Sequence, residues 1–257
     1  MAIDVHGHYG ICQSQKCSFS NMLMTGSPSV VTQRARKASI ALTFVSPMAA
    51  LTRGVHECVE EGNLDCARVV QRYRSLRQWV VVDPLVPRTF DQAREILSGK
   101  HCVGIKIHPE AHGYPIRKQG RRIFAFAEKH HAIVISHSGQ ERSLPLDFVR
   151  LASDFPSVPL ILGHLGYGYD TDVSHQVRAI QKSRHKNMYV DTSSSMSIVP
   201  NLIEWAVREI GADRILFGTD TPVYFAPMQR ARVDAADIPA TAKRRILRDN
   251  AVELFKL

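Results

Sequence analysis

The feature of this sequence that most constrains its fold is an alternation, repeated eight times, of short apolar runs with longer segments of helical periodicity. The runs are typical of buried strands, and the segments between them carry helix signals, as in Thr89 to Leu97 with Gly99 beyond the end. Eight such units in 257 residues match a (β/α)8 TIM barrel of the α/β class, predicted here as one domain over residues 1–257. A doubly wound open sheet competes, but its early glycine-rich turn is absent. The runs are 2–6, 39–46, 79–83, 102–107, 132–136, 159–162, 188–191 and 214–217.

Polar residues follow the apolar runs at the end where a barrel of this kind carries its active site. In such barrels the carboxyl ends of the strands hold the groups that do chemistry. Packing alone does not explain polar groups at one end only, so we expect a functional site there. The residues are His6, His8, Lys106, His108, His137, His164, Asp191 and Asp220.

The first run contains two histidines separated by one residue. Alternate side chains of a strand point to the same face, so His6 and His8 should share a face, and Asp4 should share it too. Imidazole nitrogen is a common ligand of zinc and related ions, so the pair predicts half of a metal site. Other parts of the chain must supply the remaining ligands.

The overall charge and the cysteines limit the classes of protein to which this chain can belong. The formal charge of +9 comes from short basic clusters without interleaved aromatic residues, which indicates solvated helix faces and also favours anionic small molecules. Five cysteines without a Cys-x-x-Cys pair argue against a disulfide framework and a zinc ribbon. The sequence has neither a signal-peptide pattern nor a long apolar run, so we expect a cytoplasmic protein that does not bind membranes.

Six short motifs occur along nearly the whole chain in a fixed order. They are Asp4-x-His6-x-His8, Gly104-Ile-Lys-Ile-His108-Pro109, Ser136-His137-Ser138-Gly139, Gly163-His164-Leu165-Gly166, Tyr189-Val-Asp191-Thr-Ser193 and Phe217-Gly218-Thr219-Asp220-Thr-Pro222. In this order they resemble the amidohydrolase superfamily, and most of all its amidohydrolase-related branch. That branch includes metal-dependent hydrolases and non-oxidative decarboxylases similar to aminocarboxymuconate semialdehyde decarboxylase.

The resemblance implies a metal site and a reaction. By similarity, His6, His8, His137 and Asp220 would bind one divalent metal, with zinc expected first and manganese or iron as alternatives. His164 would lie beside it as a proton-transfer group or a ligand of a second metal. A metal lowers the pKa of bound water to about 7. We therefore expect metal-bound hydroxide to attack a small amide, lactone or ester that bears an acid group, with Asp220 as base and His164 assisting.

Two other functions stay open at this stage. The same metal would also suit the non-oxidative decarboxylation of an unsaturated or aromatic carboxylic acid. A non-catalytic protein that binds nucleic acid through its charge of +9 is a remote alternative, and we expect no nucleic-acid partner. The expected partner is a small anionic substrate, and barrels of this kind often form homo-oligomers.

Four residues are predicted to contact the substrate. Lys106 would bind an anion by charge, although some relatives with two metals use a carboxylated lysine from strand four as a bridge. His108 and Asp191 would contact substrate or serve as turn residues, and Arg53 would meet an anion from the segment 47–63. That segment and the longer one from residue 9 to about 37 are predicted to cover the barrel mouth.

Overall fold

The computed structural model describes residues 1–13, 16–51, 56, 58–195 and 198–257, and its centre is a sheet of eight parallel strands. Each strand pairs with the next one in sequence order, as the predicted (β/α)8 barrel requires. The strands are β1 (Ala2–Tyr9), β2 (Ile40–Pro47), β3 (Leu76–Val81), β4 (Cys102–Ile107), β5 (Val134–Ser136), β6 (Leu160–Leu162), β7 (Met188–Asp191) and β8 (Ile215–Leu216).

The sheet closes on itself where the chain after β8 meets β1. The amide of His8 donates to the carbonyl of Thr221, and the amide of Asp220 donates to the carbonyl of His6 at 2.7 Å. This closure fastens the residues after β8 beside the histidines of β1. Side chains from the first and last strands therefore meet at the carboxyl end of the barrel.

The helices follow the strands, and an apolar shell lies between the two layers. Helix α6 shows the pattern: Pro145 occupies its first turn, and Phe148, Leu151 and Ala152 face inward at helical spacing. None of the helices within the described part of the chain has the length and apolar character of a membrane span. The helices are α1 (Ser18–Leu23), α2 (Pro28–Lys37), α3 (Cys58–Arg72), α4 (Arg88–Leu97), α5 (Ile116–Lys129), α6 (Pro145–Asp154), α7 (His175–Gln181), α8 (Leu202–Ile210), α9 (Ala226–Ala235), α10 (Ala240–Arg244) and α11 (Asn250–Phe255), with a π-helical turn Arg245–Asp249 between the last two.

A second apolar cluster fills the barrel interior towards the amino ends of the strands. Phe44 and Trp79 pack edge to face with Phe255 of α11, at ring-centroid distances of 4.8 and 5.6 Å. Ile3 and Ile135 belong to the same cluster. With this end filled by side chains, the polar groups of the barrel interior are left at the opposite, carboxyl end.

Two predictions about β1 and the segment after it need correction. Asp4 does not join His6 and His8, because the register of β1 shifts between Asp4 and Gly7. Its Oδ2 instead accepts a hydrogen bond from the hydroxyl of Thr219 at 2.6 Å, and burial raises the pKa of Asp4 to about 8. Asp4 therefore joins β1 to the chain after β8.

Residues 9–37 are not simply a loop over the barrel mouth. Their second half is α2, which packs against β2 as one of the outer helices. Ser27 caps this helix by accepting a hydrogen bond from the amide of Val30, and Pro28 follows at the first helical position. Ser27 followed by Pro28 is a sequence signal for a helix start, and it could have predicted α2.

Candidate metal centre and active site

Three side chains that can ligate a metal converge at the carboxyl end of the barrel. His8 Nε2 lies 3.0 Å from Asp220 Oδ1, and His6 Nε2 lies 3.8 Å from the same oxygen. One ligand atom from each side chain lies within 4.8 Å of the other two, and all three residues are buried. Two imidazoles and a carboxylate are ligands that zinc and manganese accept.

Neighbouring groups hold both imidazoles so that Nε2 points into the barrel. His6 Nδ1 lies 2.7 Å from Oδ2 of the buried Asp191. His8 Nδ1 lies 3.2 Å from the carbonyl oxygen of Ser46. Because the carboxylate of Asp191 can only accept, the ring proton of His6 belongs on Nδ1, and the lone pair of its Nε2 faces the site. His8 Nδ1 also lies 2.9 Å from the hydroxyl of Ser46, and its Nε2 lies within hydrogen-bond distance of Asp220 Oδ1. Metal-binding histidines usually have such partners, so these residues fit a divalent ion.

Glycines allow this close packing. A Cβ added at Gly218 would lie 3.0 Å from both Asp191 Oδ1 and His6 Cβ. A Cβ added at Gly163 would lie 3.0 Å from His6 Cε1. Two of the glycines in the sequence motifs thus leave the space that the imidazole of His6 and its carboxylate partner occupy.

Lys106 is the buried cation of the site. Its side chain is almost fully enclosed, and Nζ lies 2.7 Å from His6 Nε2. Burial lowers the pKa of Lys106 to about 8, although Asp220 and Asp191 raise it in part. An ammonium next to Nε2 of His6 can bind an anion that enters the site.

Three further histidines form one wall of the site. His164 Nε2 lies 3.0 Å from His137 Nδ1, and the ring of His137 stacks on that of His108 at 4.2 Å. His137 Nε2 lies 2.7 Å from Gln140 Oε1. The histidines predicted from the sequence thus lie together, but His137 lies beside the cluster of His6, His8 and Asp220 and is not a member of it.

Burial controls the charge of these groups. It lowers the pKa of His6, His108 and His164 well below the ordinary value, and neighbouring imidazoles and Lys106 lower it further. Burial also raises the pKa of Asp220, although the hydrogen bond to His8 opposes this effect. The imidazoles are therefore neutral, with lone pairs available for a cation, and Asp220 can hold a proton closer to neutral pH.

Both of the predicted catalytic residues have unusual backbone conformations. His164 has a φ angle of 73° and Asp220 a φ angle of 54°, both in the left-handed region. Such angles are uncommon for residues other than glycine and tend to occur at functional sites, where the surrounding structure maintains them.

The site opens into a cavity of about 350 Å³. Among the described residues that line it, Lys106 is the one lysine or arginine. The size falls in the range of small-ligand pockets, for which roughly 300 to 1,000 Å³ is typical. The lining residues are His6, His8, Met48, Leu51, Lys106, His108, Ala111, His137, Gln140, His164, Tyr167, Ser194, Asp220, Val223 and Tyr224.

Of the four predicted substrate residues, two line the cavity and a third lies behind its wall. Lys106 and His108 line the cavity. Asp191 lies behind His6, where its oxygens accept from His6 Nδ1 and from the amides of His164 and Ser193. These contacts favour an orienting role for Asp191 over contact with substrate. Arg53 lies outside the described residues.

Sequence reasoning missed several residues of the site. Gln140, Tyr167 and Tyr224 come from the connections after β5, β6 and β8. Their positions depend on loop paths, which have no periodic signal in the sequence. Ser193, which contacts two of the histidines, did stand in a recognised motif, directly after Asp191 and Thr192.

Comparisons with known proteins found a sequence relative and solved structures that share this fold. Gamma-resorcylate decarboxylase of a Polaromonas species is 31% identical over 122 residues, which are 42% of this chain and 37% of that relative. The matched part is thus little more than a third of the relative's length. The structure of 2,6-dihydroxybenzoate decarboxylase from Rhizobium covers 99% of this chain and 98% of its own, with a TM-score of 0.77 and 15% identity.

A second solved structure and a family model extend the comparison. The 5-carboxyvanillate decarboxylase of Novosphingobium aromaticivorans, which has bound manganese, covers 100% of this chain and 97% of its own, with a TM-score of 0.75 and 13% identity. At such identities the two structures establish a shared fold. The family model described as amidohydrolase matches residues 3–257. The chain therefore belongs to the amidohydrolase family.

Proposed function

We propose that this chain is a metal-dependent, non-oxidative decarboxylase of small aromatic carboxylic acids, acting as a single-domain enzyme. The observation that carries the proposal is that one small cavity contains both the His6, His8 and Asp220 cluster and the buried Lys106. The relatives described above are named as decarboxylases of resorcylate, dihydroxybenzoate and carboxyvanillate, and they support the same reaction.

The groups in the cavity suit such a substrate. Lys106 offers an ammonium for the carboxylate, and a hydrogen bond to a charged group contributes about 1.5–3 kcal/mol. Tyr167 and Tyr224 offer aromatic surface for a ring. A divalent ion held by His6, His8 and Asp220, with His137 as the proposed fourth ligand, would supply positive charge that orients the carboxylate and stabilises negative charge on the ring.

The reaction needs one proton for each carbon dioxide released. The ring carbon that bears the carboxylate gains a proton, the bond to the carboxylate carbon breaks, and its electron pair returns to the ring as carbon dioxide leaves. Asp220, which lines the cavity, is one group that can pass that proton. His164 on the same wall is the second group that can pass a proton.

This proposal departs from the reaction that we expected first from the sequence. Hydrolysis of an amide, lactone or ester would use the same residues, but the named relatives are decarboxylases and favour the alternative. Zinc, which we expected first from the sequence, is no longer preferred over manganese, because the carboxyvanillate enzyme has bound manganese. We therefore propose manganese or zinc as the ion.

The test is a substrate panel. The purified protein is stripped with a chelator, reloaded with manganese or zinc, and offered hydroxybenzoates, carboxyvanillate, lactones and esters. We expect carbon dioxide and the matching phenol from at least one aromatic acid, with activity lost in Asp220→Asn. Asp83→Asn is the matched control, because Asp83 is also buried and bonded to a histidine but does not line the cavity. Turnover of lactones or esters without carbon dioxide release would contradict the proposal.

A further inference from the structure

Ser193 contacts two of the site histidines at once. Its hydroxyl oxygen lies 3.1 Å from His6 Nδ1 and 2.8 Å from His164 Nδ1. The side chain is fully buried and does not line the cavity. Ser193 thus connects one proposed metal ligand to the proposed proton-transfer group from behind both rings.

The direction of these hydrogen bonds follows from Asp191. His6 Nδ1 lies 2.7 Å from a carboxylate oxygen of Asp191, which can only accept, so this nitrogen carries a proton. The nitrogen therefore cannot accept from Ser193. The single hydroxyl proton of Ser193 must go to its other neighbour, Nδ1 of His164, while the serine oxygen accepts from His6.

This direction determines which nitrogen of His164 carries the ring proton. If Nδ1 of a neutral imidazole accepts, Nε2 must donate. His164 Nε2 lies 3.0 Å from His137 Nδ1 on the cavity wall. The ring of His164 therefore directs an N–H group to the side of the site where substrate binds.

The peptide that carries Ser193 is itself held in place. Nη1 of Arg232, on α9, donates to the carbonyl oxygens of Thr192 and Ser194, each at 3.2 Å. These two residues flank Ser193 on both sides. The amide of Ser193 also donates to Asp191 Oδ1 at 2.9 Å. The serine is thus fixed by contacts that do not involve either imidazole.

We propose that Ser193 is a positioning residue whose hydroxyl fixes the ring of His164, with Nδ1 as hydrogen-bond acceptor and Nε2 as the donor directed to the cavity. The inference rests on the proposed function only in taking His164 as a proton-transfer group. The hydrogen-bond arrangement itself does not depend on the reaction.

The first experiment reads the position of the ring proton directly. Metal-free protein with ¹⁵N-labelled histidine is studied by long-range ¹H–¹⁵N correlation, with the His164 signals assigned from a His164→Gln variant. We expect an unprotonated Nδ1 and a protonated Nε2 in the wild type, and a mixture of the two forms in Ser193→Ala. Ser193→Thr, which retains the hydroxyl, should restore the wild-type pattern.

Ser138→Ala is the matched control. The hydroxyl of Ser138 is also buried and donates to the carbonyl of Gly163, but it does not donate to an imidazole. This variant should keep the wild-type pattern of His164. A wild-type His164 with its proton on Nδ1 would overturn the proposal without any variant. An unchanged pattern in folded Ser193→Ala would overturn it as well.

The kinetic arm uses an aromatic acid that the substrate panel finds active. Ser193→Ala should lower kcat about 10- to 100-fold, as expected for loss of an orienting partner, and change KM by less than about threefold. A selective rise in KM would contradict a role in positioning His164. The spectra require neither metal nor substrate. If the proposed decarboxylation fails, the ring-proton pattern of His164 therefore still tests this inference.

Discussion

Asp191 Oδ2 lies 2.7 Å from His6 Nδ1, and both side chains are buried, so the carboxylate at the end of β7 fixes the imidazole of β1. We predict that Asp191→Asn lowers the affinity for manganese or zinc about 10- to 100-fold, because the amide no longer holds the proton on Nδ1 by charge. Calorimetric titration of the stripped protein measures this. Asp83→Asn should bind metal as the wild type does, and equal affinities of wild type and Asp191→Asn would refute the orienting role.

Gly218 lies where His6 and Asp191 approach each other. In Gly218→Ala the new Cβ would lie 3.0 Å from both side chains and must displace them by a few tenths of an ångström. We predict weaker metal binding in a protein that still folds, measured by the same titration together with thermal unfolding. Gly113→Ala is the contrasting variant for metal affinity: its φ of 72° strains an alanine, but its Cβ would meet nothing within 4 Å and it does not line the cavity. A loss of affinity in Gly113→Ala that matches the loss in Gly218→Ala would argue against this explanation.

Lys106 is predicted to bind the substrate carboxylate. Replacement by methionine, which has a similar shape, should raise KM for an aromatic acid about 10- to 100-fold, as expected for the loss of a charged hydrogen bond. Stability should not fall, because the variant no longer buries an ammonium. Steady-state kinetics and urea unfolding check both statements.

The metal content of the same variant tests the other role considered for Lys106. Substrate binding predicts about one metal ion per chain in both wild type and Lys106→Met. Two ions in the wild type and one in the variant would instead support a carboxylated lysine that bridges two metals.

The histidine of the connection after β4, His112, gives a prediction about pH. Burial lowers the pKa of His112 below its ordinary 6.5, with Asp83 opposing the shift and His56 adding to it. The folded state therefore binds fewer protons than the unfolded state below about pH 6.5, and stability falls as the pH drops from there. In His112→Asn the slope of unfolding free energy against pH should decrease by up to about 1.4 kcal/mol per pH unit.

Urea unfolding in a chelator at several pH values between 5 and 7 measures this difference. Groups shared by both proteins, such as Asp4 with its raised pKa, cancel in the comparison. Parallel curves for wild type and His112→Asn would show that His112 is protonated equally in both states.

The sequence was most informative where side chains repeat or end a strand. The runs of β4 and β7 were predicted with their observed bounds, because buried parallel strands are short and continuously apolar. The polar residues at the ends of the apolar runs predicted the wall that contains Lys106, His108 and His164, because the carboxyl ends of all eight strands meet at one end of the barrel.

The features that the sequence could not predict depend on strand register and on contacts between residues far apart in the sequence. The shift in β1 that separates Asp4 from His6 arises from pairing with β2, which no local pattern reports. The position of Asp191 behind His6 depends on the angle at which two strands meet. The tyrosines of the cavity depend on loop conformations, where side-chain periodicity is absent.

The most direct test of this account is to reload the stripped protein with increasing amounts of manganese and to measure bound metal and carbon dioxide release from an active aromatic acid together. We predict that activity rises in proportion to bound metal and saturates at about one ion per chain. Folded His8→Ala and Asp220→Asn variants should bind little metal and release little carbon dioxide. Full activity in the stripped protein, or undiminished metal binding by both variants, would contradict the central claim that His6, His8 and Asp220 hold the ion that the reaction needs.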